Sequence, residues 1–248
     1  MRVVAIVAAG GRGTRLGTTH PKQFLALGAR TILERSVSAL VECPSIDLVI
    51  VALPAEDAAA PPAYLARPGR IVVVEGGARR QDSVANAFAA VPDNAEIVVI
   101  HDAARPFVDR ATIERTIAAA AAGGAAICAL QARDTVKLAE VTETGWVGGE
   151  YGEPVPAVRP AAMPSVKRTL PRETIYLAQT PQAFRRDVLA RAIALGQEGA
   201  DATDEATLAE QAGAAVLIVP GDPSNLKITT AADLAFARGL LLERGEQV

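Results

Sequence analysis

The amino-acid sequence predicts an α/β protein built on a doubly wound, mostly parallel sheet of Rossmann-like type. Short apolar runs alternate along the chain with amphipathic segments, and the runs lie at 3–7, 48–53, 71–74, 97–100, 125–130 and 214–219. Runs of this length that are apolar on both faces are typical of strands covered by helices on both sides. In such folds, ligands bind at the carboxyl ends of the strands.

The segments between these runs carry helical spacing. In 31–41 the residues Ile32, Leu33, Val37 and Leu40 fall on one side, which predicts an amphipathic helix. The predicted helices are 31–41, 81–90, 109–122, 185–195, 204–212 and 231–244.

Two regions depart from this alternation. Residues 54–68, which include adjacent prolines, predict either a poorly ordered connection or a broken helix. Residues 135–172 contain too many glycines and prolines for a packed strand–helix unit. We therefore expect one domain over 1–248, from which a β-arm protrudes at 136–171 as a hairpin with a loop. For 148–164, a disordered surface insertion is the alternative.

Composition and charge argue against several classes of protein. The net charge of −3 is unlike the basic face of a nucleic-acid binder, so we expect no nucleic-acid partner. No apolar run reaches the roughly 20 residues of a membrane span, and a strand begins too soon for a signal peptide. Cys43 and Cys128 lie in apolar settings without metal-binding spacing. We therefore expect a cytoplasmic protein with buried thiols.

A glycine-rich loop with fixed cations follows the first predicted strand. The sequence AAGGRGTRLG occupies 8–17, and Arg12, Arg15 and Lys22 supply positive charge. Because glycine has no Cβ, the backbone N–H groups of such a loop can approach a phosphate closely. The loop therefore predicts nucleotide binding, and an ordinary tight turn is the alternative.

The loop does not match two common phosphate-binding patterns. The dinucleotide pattern G-x-G-x-x-G lacks its third glycine, because Leu16 stands at that position. The P-loop pattern G-x-x-x-x-G-K-[ST] fails because Lys22 lies between Pro21 and Gln23. The sequence therefore argues against an NAD-dependent oxidoreductase.

Asp102 lies just after the run at 97–100, at the sheet edge where the glycine-rich loop is expected. A carboxylate there can hold Mg²⁺ together with substrate phosphates. The alternative is that Asp102 caps a turn and that Arg105 forms a surface ion pair.

A second pair of glycines follows the run at 71–74. Gly76 and Gly77 leave backbone amides exposed before a helix, so that Arg80 and Ser83 can contact a base or ribose. The alternative is an ordinary turn in which Ser83 or the adjacent aspartate, Asp82, caps the helix.

Two polar stretches lie in the last quarter of the chain. Lys227 follows the last run and returns to the same sheet edge, within reach of a phosphate; a solvated surface lysine is the alternative. Thr203, Asp204 and Glu205 are typical of a capped helix start, for which a structural role suffices.

These stretches, in this order, resemble a known enzyme family over nearly the whole chain. The stretch 8–23 is similar to the first loop of sugar-phosphate nucleotidyltransferases in general. A narrower pattern resembles the 2-C-methyl-D-erythritol 4-phosphate cytidylyltransferase family of the non-mevalonate isoprenoid pathway. That pattern consists of Gly76-Gly77, Arg80, Ser83, His101-Asp102-Ala103-Ala104-Arg105-Pro106, Asp134-Thr135-Val136-Lys137, Gln179-Thr180-Pro181-Gln182, Thr203-Asp204-Glu205 and Asn225-Leu226-Lys227.

The resemblance implies a CTP-dependent nucleotidyltransferase. A phosphate oxygen of 2-C-methyl-D-erythritol 4-phosphate would attack the α-phosphate of CTP and release pyrophosphate, with Mg²⁺ or another divalent cation as cofactor. The family's arm also implies a homodimer with shared sites. The nearest alternative is a cytidylyltransferase for ribitol 5-phosphate or another polyol phosphate. A non-catalytic nucleotide-binding protein is more remote, since the chain keeps the cations and the acid.

The resemblance also implies roles for individual residues. Arg15 and Lys22 would stabilise charge at the α-phosphate, and Lys227 and Arg172 would hold the attacking phosphate. Asp102 would hold the divalent cation. The implied nucleotide contacts are Ala8, Ala9, Gly10, Gly77, Arg80, Ser83, Ala103 and Arg105, with Thr135, Thr180 and Thr203 as further candidates for substrate hydroxyl groups.

The resemblance leaves some positions open. The first loop is one residue longer than in some members, which leaves open how Arg12 and Arg15 align with the family; shaping the loop is one role for Arg12, and its role stays open. Asp222 is either a second carboxylate near the metal or a residue of an Asp-Pro turn. The additional length at 148–163 leaves Arg159 and Arg168 as alternatives to Arg172.

Overall fold

The structure is a computed structural model that describes residues 1–11, 21–140 and 164–247. In chain order its strands are β1 (Val3–Ala8), β2 (Ala26–Leu27), β3 (Arg30–Thr31), β4 (Leu48–Leu53), β5 (Ile71–Glu75), β6 (Ile97–Asp102), β7 (Ala125–Gln131), β8 (Val136–Glu140), β9 (Ser165–Leu170), β10 (Tyr176–Arg185) and β11 (Val216–Pro220). Its helices are α1 (Ile32–Val41), α2 (Ala55–Ala59), α3 (Arg80–Ala89), α4 (Arg110–Gly123), α5 (Arg186–Gln197), α6 (Glu205–Gln211) and α7 (Ala231–Glu243). Single turns of 3₁₀ helix lie at Lys22–Phe24, Ala63–Leu65 and Arg172–Thr174.

The chain divides into two compact units. One holds Met1–Leu130 with Ala178–Val248, and the other is Gln131–Leu177. The expected arm at 136–171 falls inside the second unit. The single domain over 1–248 stays a prediction.

The first unit is organised around one sheet. Among the described residues, its strands lie in the order β11-β7-β10-β6-β1-β4-β5. β1 pairs in parallel with β4 and β6, β4 pairs in parallel with β5, and β7 does so with β11. β10 runs antiparallel to β6. The predicted mostly parallel sheet is confirmed, and each predicted apolar run forms one of its strands.

β10 is the strand that the apolar pattern does not reveal. Gln179, Thr180 and Gln182 interrupt its apolar residues, and the Thr180–Pro181 peptide bond is cis. All three polar side chains are nevertheless buried. Because β10 lies next to β6, it brings hydrogen-bonding groups into the middle of the sheet.

Alternate residues of β1 enter two core layers. Val3, Ala5 and Val7 pack in the layer that contains side chains of α1 and α4. Val4 and Ile6 pack in the layer that contains side chains of α3 and α5. Both faces of this central strand are therefore covered, as its unbroken apolar run predicts.

The prediction of double burial is wrong at the edges of the sheet. In β11 the side chains of Leu217 and Ile218 are 42% and 49% exposed, and Val72 of β5 is 39% exposed. β5 and β11 are the outermost strands. An edge strand has a neighbour on one side only, so the flanking helices cover its side chains less completely.

Side-chain caps mark the starts of α1, α4, α6 and α7. Thr31, Asp109, Asp204 and Thr230 each accept a hydrogen bond from the backbone N–H three residues further on. The predicted starts agree with the observed ones to within one residue. In 54–68, α2 and a 3₁₀ turn lie on either side of the paired prolines, which confirms the broken helix.

The second unit contains an antiparallel pair of strands. β8 and β9 run side by side with Val136 opposite Leu170, in agreement with the expected hairpin. Most of 148–164 lies outside the described residues. No helix in the described part of the chain is long and apolar enough to cross a membrane. Cys43 and Cys128 are buried thiols, as expected.

Candidate active site

Loops from neighbouring parallel strands meet at the carboxyl edge of the sheet. Ala8 at the end of β1 is in register with Asp102 at the end of β6 and with Ala52 of β4. Beyond the strands, the Ala9 amide donates to the Ala52 carbonyl at 3.0 Å, and the Gly76 amide donates to the last carbonyl of β4 at 2.7 Å. The loops after β1, β5 and β6 therefore lie side by side, as expected for this topology.

A cavity of about 510 Å³ opens where these loops meet. The predicted site residues that line it are Ala8, Ala9, Gly10, Lys22, Gly77, Arg80, Ser83, Asp102, Ala103 and Lys227. The remaining lining residues are Gly11, Gln23, Ala78, Arg79, Ala104 and Thr229. Backbone amides before a helix, combined with lysine and arginine side chains, suit this cavity to an anionic ligand.

The close approach of the two glycine loops leaves no space for larger residues. A Cβ on Gly10 would lie 2.6 Å from Ser83 Oγ, and one on Gly76 would lie 3.2 Å from the Gly10 Cα. The Ser83 hydroxyl accepts the Gly77 N–H at 3.0 Å and so ties the second loop to the first turn of α3. The glycine-rich sequence is therefore explained by packing at the cavity.

α3 begins with an ordinary cap as well as with cavity-lining residues. The Asp82 carboxylate accepts the Arg79 N–H at 3.1 Å, which confirms the predicted cap by Asp82. Ser83 holds the turn while it also lines the cavity. The nucleotide-contact and capping interpretations of this stretch are therefore compatible.

Gln23 also supports the first loop. Its Nε2 is buried and donates to the carbonyls of Ala9 at 2.8 Å and Gly11 at 3.2 Å. The adjacent Lys22 lines the cavity, and its Nζ donates to the Ile228 carbonyl at 3.3 Å. Arg12 and Arg15, the other two cations of the predicted loop, lie outside the described residues.

Cations surround the Asp102 carboxylate. Lys227 Nζ lies 3.0 Å from Oδ2, Arg80 Nε lies 3.2 Å from Oδ1, and Arg105 Nε lies 3.4 Å from Oδ2. Burial would raise the pKa of Asp102, but these cations lower it well below its ordinary value. The surface ion pair considered for Arg105 is wrong, because both side chains are buried.

Arg80 joins Asp102 to a second buried carboxylate. Its Nη1 lies 2.9 Å from Glu205 Oε1 and 2.6 Å from Oε2. Burial disfavours the charged form of Arg80, but the two carboxylates outweigh this effect and raise its pKa. Burial raises the pKa of Glu205, and Arg80 offsets that rise only in part.

Thr180 positions the backbone of Asp102. Its hydroxyl accepts the Asp102 N–H at 3.0 Å and lies 3.0 Å from His101 Nδ1. His101 Nε2 lies 3.1 Å from the Arg105 carbonyl, which can only accept, so Nε2 carries the ring proton and Nδ1 accepts from Thr180. Burial lowers the pKa of His101 to about 4 and keeps the ring neutral.

A second cavity, of about 190 Å³, shares Arg80, Asp102 and Lys227 with the first. The predicted residues Arg105, Thr180 and Thr203 also line it. The cluster of ionised side chains around Asp102 therefore contributes to the walls of both cavities. A ligand in either cavity can contact this cluster.

Two of the predicted site residues belong to the second unit. Arg172 is exposed, its Nη1 donates to the Arg133 carbonyl at 2.9 Å, and its Nε lies 3.6 Å from Glu173. Thr135 directly precedes β8. Asp222, in the first unit, accepts the Ser224 N–H at 2.7 Å, which supports the turn interpretation of its Asp-Pro sequence.

Sequence reasoning missed the roles of three buried polar residues. It treats Glu205 as part of a helix start only, and it assigns no contacts to Gln23 or His101. Glu205 forms an ion pair with Arg80, Gln23 holds the first loop, and His101 orients Thr180. Of these three residues, His101 alone carries a sequence signal that could have pointed to its role. It is a polar residue that directly follows an apolar run.

One carboxylate of the cavity wall, Asp102, could contribute to a divalent-cation site in which phosphates and water supply the other ligands. Among the described residues, no group of three or more His, Cys, Asp or Glu side chains could hold a metal by itself. Asp102 is an ionised carboxylate on the cavity wall, and Mg²⁺ commonly binds one or two carboxylates together with substrate phosphates.

The sheet, the glycine loop at its carboxyl edge and the cationic cavity define an α/β nucleotidyltransferase. A family model described as "2-C-methyl-D-erythritol 4-phosphate cytidylyltransferase" matches residues 3–149 and 157–243. The chain belongs to this family, as the resemblance of its motifs predicts.

Curated relatives of two kinds are similar to the chain. A protein named "Bifunctional enzyme IspD/IspF", from Anaeromyxobacter dehalogenans, is 45% identical over 97% of this chain. The chain spans 57% of the length of that relative. A relative named 2-C-methyl-D-erythritol 4-phosphate cytidylyltransferase, from Acidobacterium capsulatum, is 40% identical, and the match covers 100% of both chains.

Solved structures show the same fold. A 2-C-methyl-D-erythritol 4-phosphate cytidylyltransferase from Thermus thermophilus matches with a TM-score of 0.74 and 35% identity, over 97% of this chain and 98% of that one. A 4-diphosphocytidyl-2C-methyl-D-erythritol synthase from Anaerococcus prevotii matches with a TM-score of 0.77 and 26% identity, over 97% and 98% of the two chains. The predicted α/β nucleotidyltransferase fold is confirmed.

Substitution of adjacent glycines tests the loop packing. Gly10→Ala should lower the free energy of unfolding by about 1–2 kcal/mol, because its Cβ would press on Ser83. Gly11→Ala should change it by less than about 0.5 kcal/mol, since in the described part of the chain nothing lies within 4 Å of that Cβ. Urea denaturation measures the free energy of unfolding of both variants. It is also measured for Gly10→Ala combined with Ser83→Ala, which removes the Ser83 Oγ that the new Cβ would meet. An equal cost for the two glycines would contradict the packing.

Removal of the Thr180 hydroxyl tests how Asp102 is positioned. Thr180→Val should destabilise the fold by about 1–3 kcal/mol, because it leaves the buried Asp102 N–H and His101 Nδ1 without a partner. The control is Thr174→Val, whose exposed hydroxyl donates to the Pro171 carbonyl, with an expected change below about 0.5 kcal/mol. Denaturant titrations of the two variants compare these costs. Matching values would argue against the bonding scheme.

Proposed function

We propose that the chain transfers a cytidylyl group from CTP to 2-C-methyl-D-erythritol 4-phosphate, forming 4-diphosphocytidyl-2-C-methyl-D-erythritol and pyrophosphate. The observation that carries this proposal is the larger cavity, in which the glycine loop, Lys22, Lys227 and the ionised Asp102 come together. Membership of the family and the name of a relative that matches over its full length support the choice of substrates.

The reaction needs charge stabilisation and positioning more than it needs a base. An oxygen of the 4-phosphate, already anionic, bonds to the α-phosphorus of CTP, while the bond from that phosphorus to the bridging oxygen breaks. Pyrophosphate leaves with the bonding electron pair. The barrier arises from bringing anions together and from the charge on the reacting phosphoryl group, so fixed cations and orientation supply most of the catalysis.

We assign the cations by where the first unit holds them and by the family resemblance. Lys22 lines the larger cavity and acts, with Arg15, on the charge at the α-phosphate. Lys227 lines both cavities and holds the attacking phosphate beside Asp102. Thr203 lines the smaller cavity and is assigned to the acceptor's hydroxyl groups. Thr135 belongs to the second unit, and its assignment to substrate hydroxyl groups rests on the family resemblance alone. Thr180 is assigned to the positioning of Asp102, because its hydroxyl is already used there.

The nucleotide contacts follow from the lining of the larger cavity. Ala8, Ala9, Gly10, Gly77, Ser83 and Ala103 contribute backbone and small side-chain groups there. Arg80 adds a guanidinium at the boundary with the smaller cavity, and Arg105 stays in a supporting position within that smaller cavity. Asp102 would hold Mg²⁺ together with the nucleotide phosphates, and a bound ion would neutralise part of their charge.

We assign the second unit a role in contacts with a second copy of the chain. By the family resemblance, we propose that the chain forms a homodimer through its arm and that Arg172 of the arm supports the acceptor phosphate in the site of the second copy. The exposed side chain of Arg172 and the antiparallel pair β8–β9 are compatible with this arrangement. We also propose a cytoplasmic location, which fits the use of CTP.

Pyrophosphate release from CTP tests the reaction. We expect rapid release with 2-C-methyl-D-erythritol 4-phosphate, little with ribitol 5-phosphate, and none after chelation of divalent cations. A coupled assay with each acceptor at matched concentration compares the rates, and mass spectrometry of the nucleotide product identifies the ester formed. Preference for ribitol 5-phosphate would move the function to the alternative acceptor, and absence of release with both would contradict it.

Replacement of Lys22 separates binding from catalysis. Lys22→Ala should lower kcat at least about 100-fold, equivalent to about 3 kcal/mol, because its charge is needed most in the transition state. The Kd for CTP, measured by calorimetry, should change much less. Lys22→Arg keeps the charge and should restore part of the rate. Equal losses in kcat and affinity would show that Lys22 serves only to bind.

A further inference from the structure

We propose that Glu205 is a positioning residue for nucleotide binding, because it holds the guanidinium of Arg80 at the boundary between the two cavities. This inference rests on the proposed function. It gives Glu205, whose sequence context is typical of a helix start, a share in the affinity for CTP.

The geometry fixes Arg80 at two corners of its planar guanidinium. Nη1 donates to both oxygens of Glu205, at 2.9 and 2.6 Å, and Nε donates to Asp102 Oδ1 at 3.2 Å. Arg80 is the first residue of α3 and Glu205 is the first residue of α6, so two helix starts carry the pair. Two anchored nitrogens determine the orientation of the third, because the group is planar.

The third nitrogen of Arg80 is the one left for a ligand. Within the described ranges, no residue accepts a hydrogen bond from Nη2, although Arg80 lines both cavities. A guanidinium nitrogen suits phosphate and ribose oxygens, and its bonds to phosphate are charge-assisted. If Glu205 did not hold Nη1, both terminal nitrogens could turn towards Asp102, and Nη2 would no longer have a fixed direction.

Helix capping does not account for Glu205. The start of α6 is held by Asp204, which accepts the Thr207 N–H at 2.9 Å, and by Gln182, whose Oε1 accepts the Ala206 N–H at 3.3 Å. The Glu205 side chain is 1% exposed, and among the described residues the side chain that donates to its carboxylate is that of Arg80. Burial of a charged pair costs desolvation energy, so stability alone is a weak reason for this arrangement.

A double-mutant cycle measured by CTP binding tests the inference. Calorimetry with CTP and Mg²⁺ would compare the wild type, Glu205→Gln, Arg80→Ala and the double variant. Glu205→Gln keeps the shape of the side chain and should weaken CTP binding about tenfold, as expected when one charge-assisted hydrogen bond loses its orientation. In the Arg80→Ala background the same change should have less than about a twofold effect, because its target is gone.

Controls separate this role from a general loss of structure. Glu114→Gln neutralises the partner of Arg110 in an exposed ion pair on α4 and should leave CTP binding unchanged. Circular dichroism checks that each variant is folded. If Glu205→Gln does not fold, Glu205→Asp keeps the charge but withdraws the carboxylate by one carbon, and it should weaken binding at least about threefold.

The outcomes distinguish this inference from the proposed function. Normal CTP affinity in a folded Glu205→Gln or Glu205→Asp variant would overturn the inference and leave the function intact. Full additivity with Arg80→Ala would overturn it as well, because the two residues would then act independently. A wild-type protein that binds no CTP would overturn the proposed function, and this inference with it.

Discussion

The ionised carboxylate of Asp102 is the interaction on which the rest of the site depends. Lys227, Arg80 and Arg105 approach it from three different parts of the chain, and Thr180 fixes its backbone. Without this anion, three cations would face one another in a largely buried space, where Glu205 pairs with Arg80 alone. Asp102 therefore holds the three cationic side chains together in the absence of a bound phosphate. Among the described residues, it is the one carboxylate that lines both cavities.

The topology explains why this charge lies beside the glycine loops. β1 and β6 are parallel neighbours in register, so Ala8 and Asp102 end at the same level of the sheet. The loops that continue from β1 and β5 touch through Gly10, Gly76 and Ser83, where larger side chains would not fit. A cavity with amides on one side and paired charges on the other is the direct result. This contact between the loops requires glycine at these positions, in addition to any need for the backbone to approach a phosphate.

Local sequence patterns predict the sheet, its helices and most of the residues that line the larger cavity, because apolar runs and glycine loops act over short distances along the chain. Such patterns do not predict strand β10 or the ion pair that Glu205 forms. The burial of Gln179, Thr180 and Gln182 depends on a neighbouring strand, β6, that lies about 80 residues earlier in the chain. The ion pair between Arg80 and Glu205 joins residues 125 positions apart, and an acid at a helix start has the same sequence signature whether it is paired or not. The exposure of β11 likewise depends on its place at the sheet edge, which composition does not encode.

The unfolding free energy of an Asp102→Asn variant tests the central role of this carboxylate most directly. We expect a loss of about 3 kcal/mol at low ionic strength, since the substitution leaves the buried Arg105 and the partly buried Arg80 and Lys227 without their shared partner. Added salt should narrow the difference from the wild type, because it screens the repulsion among the exposed portions of Lys227 and Arg80. A variant as stable as the wild type, or more stable, would contradict the account.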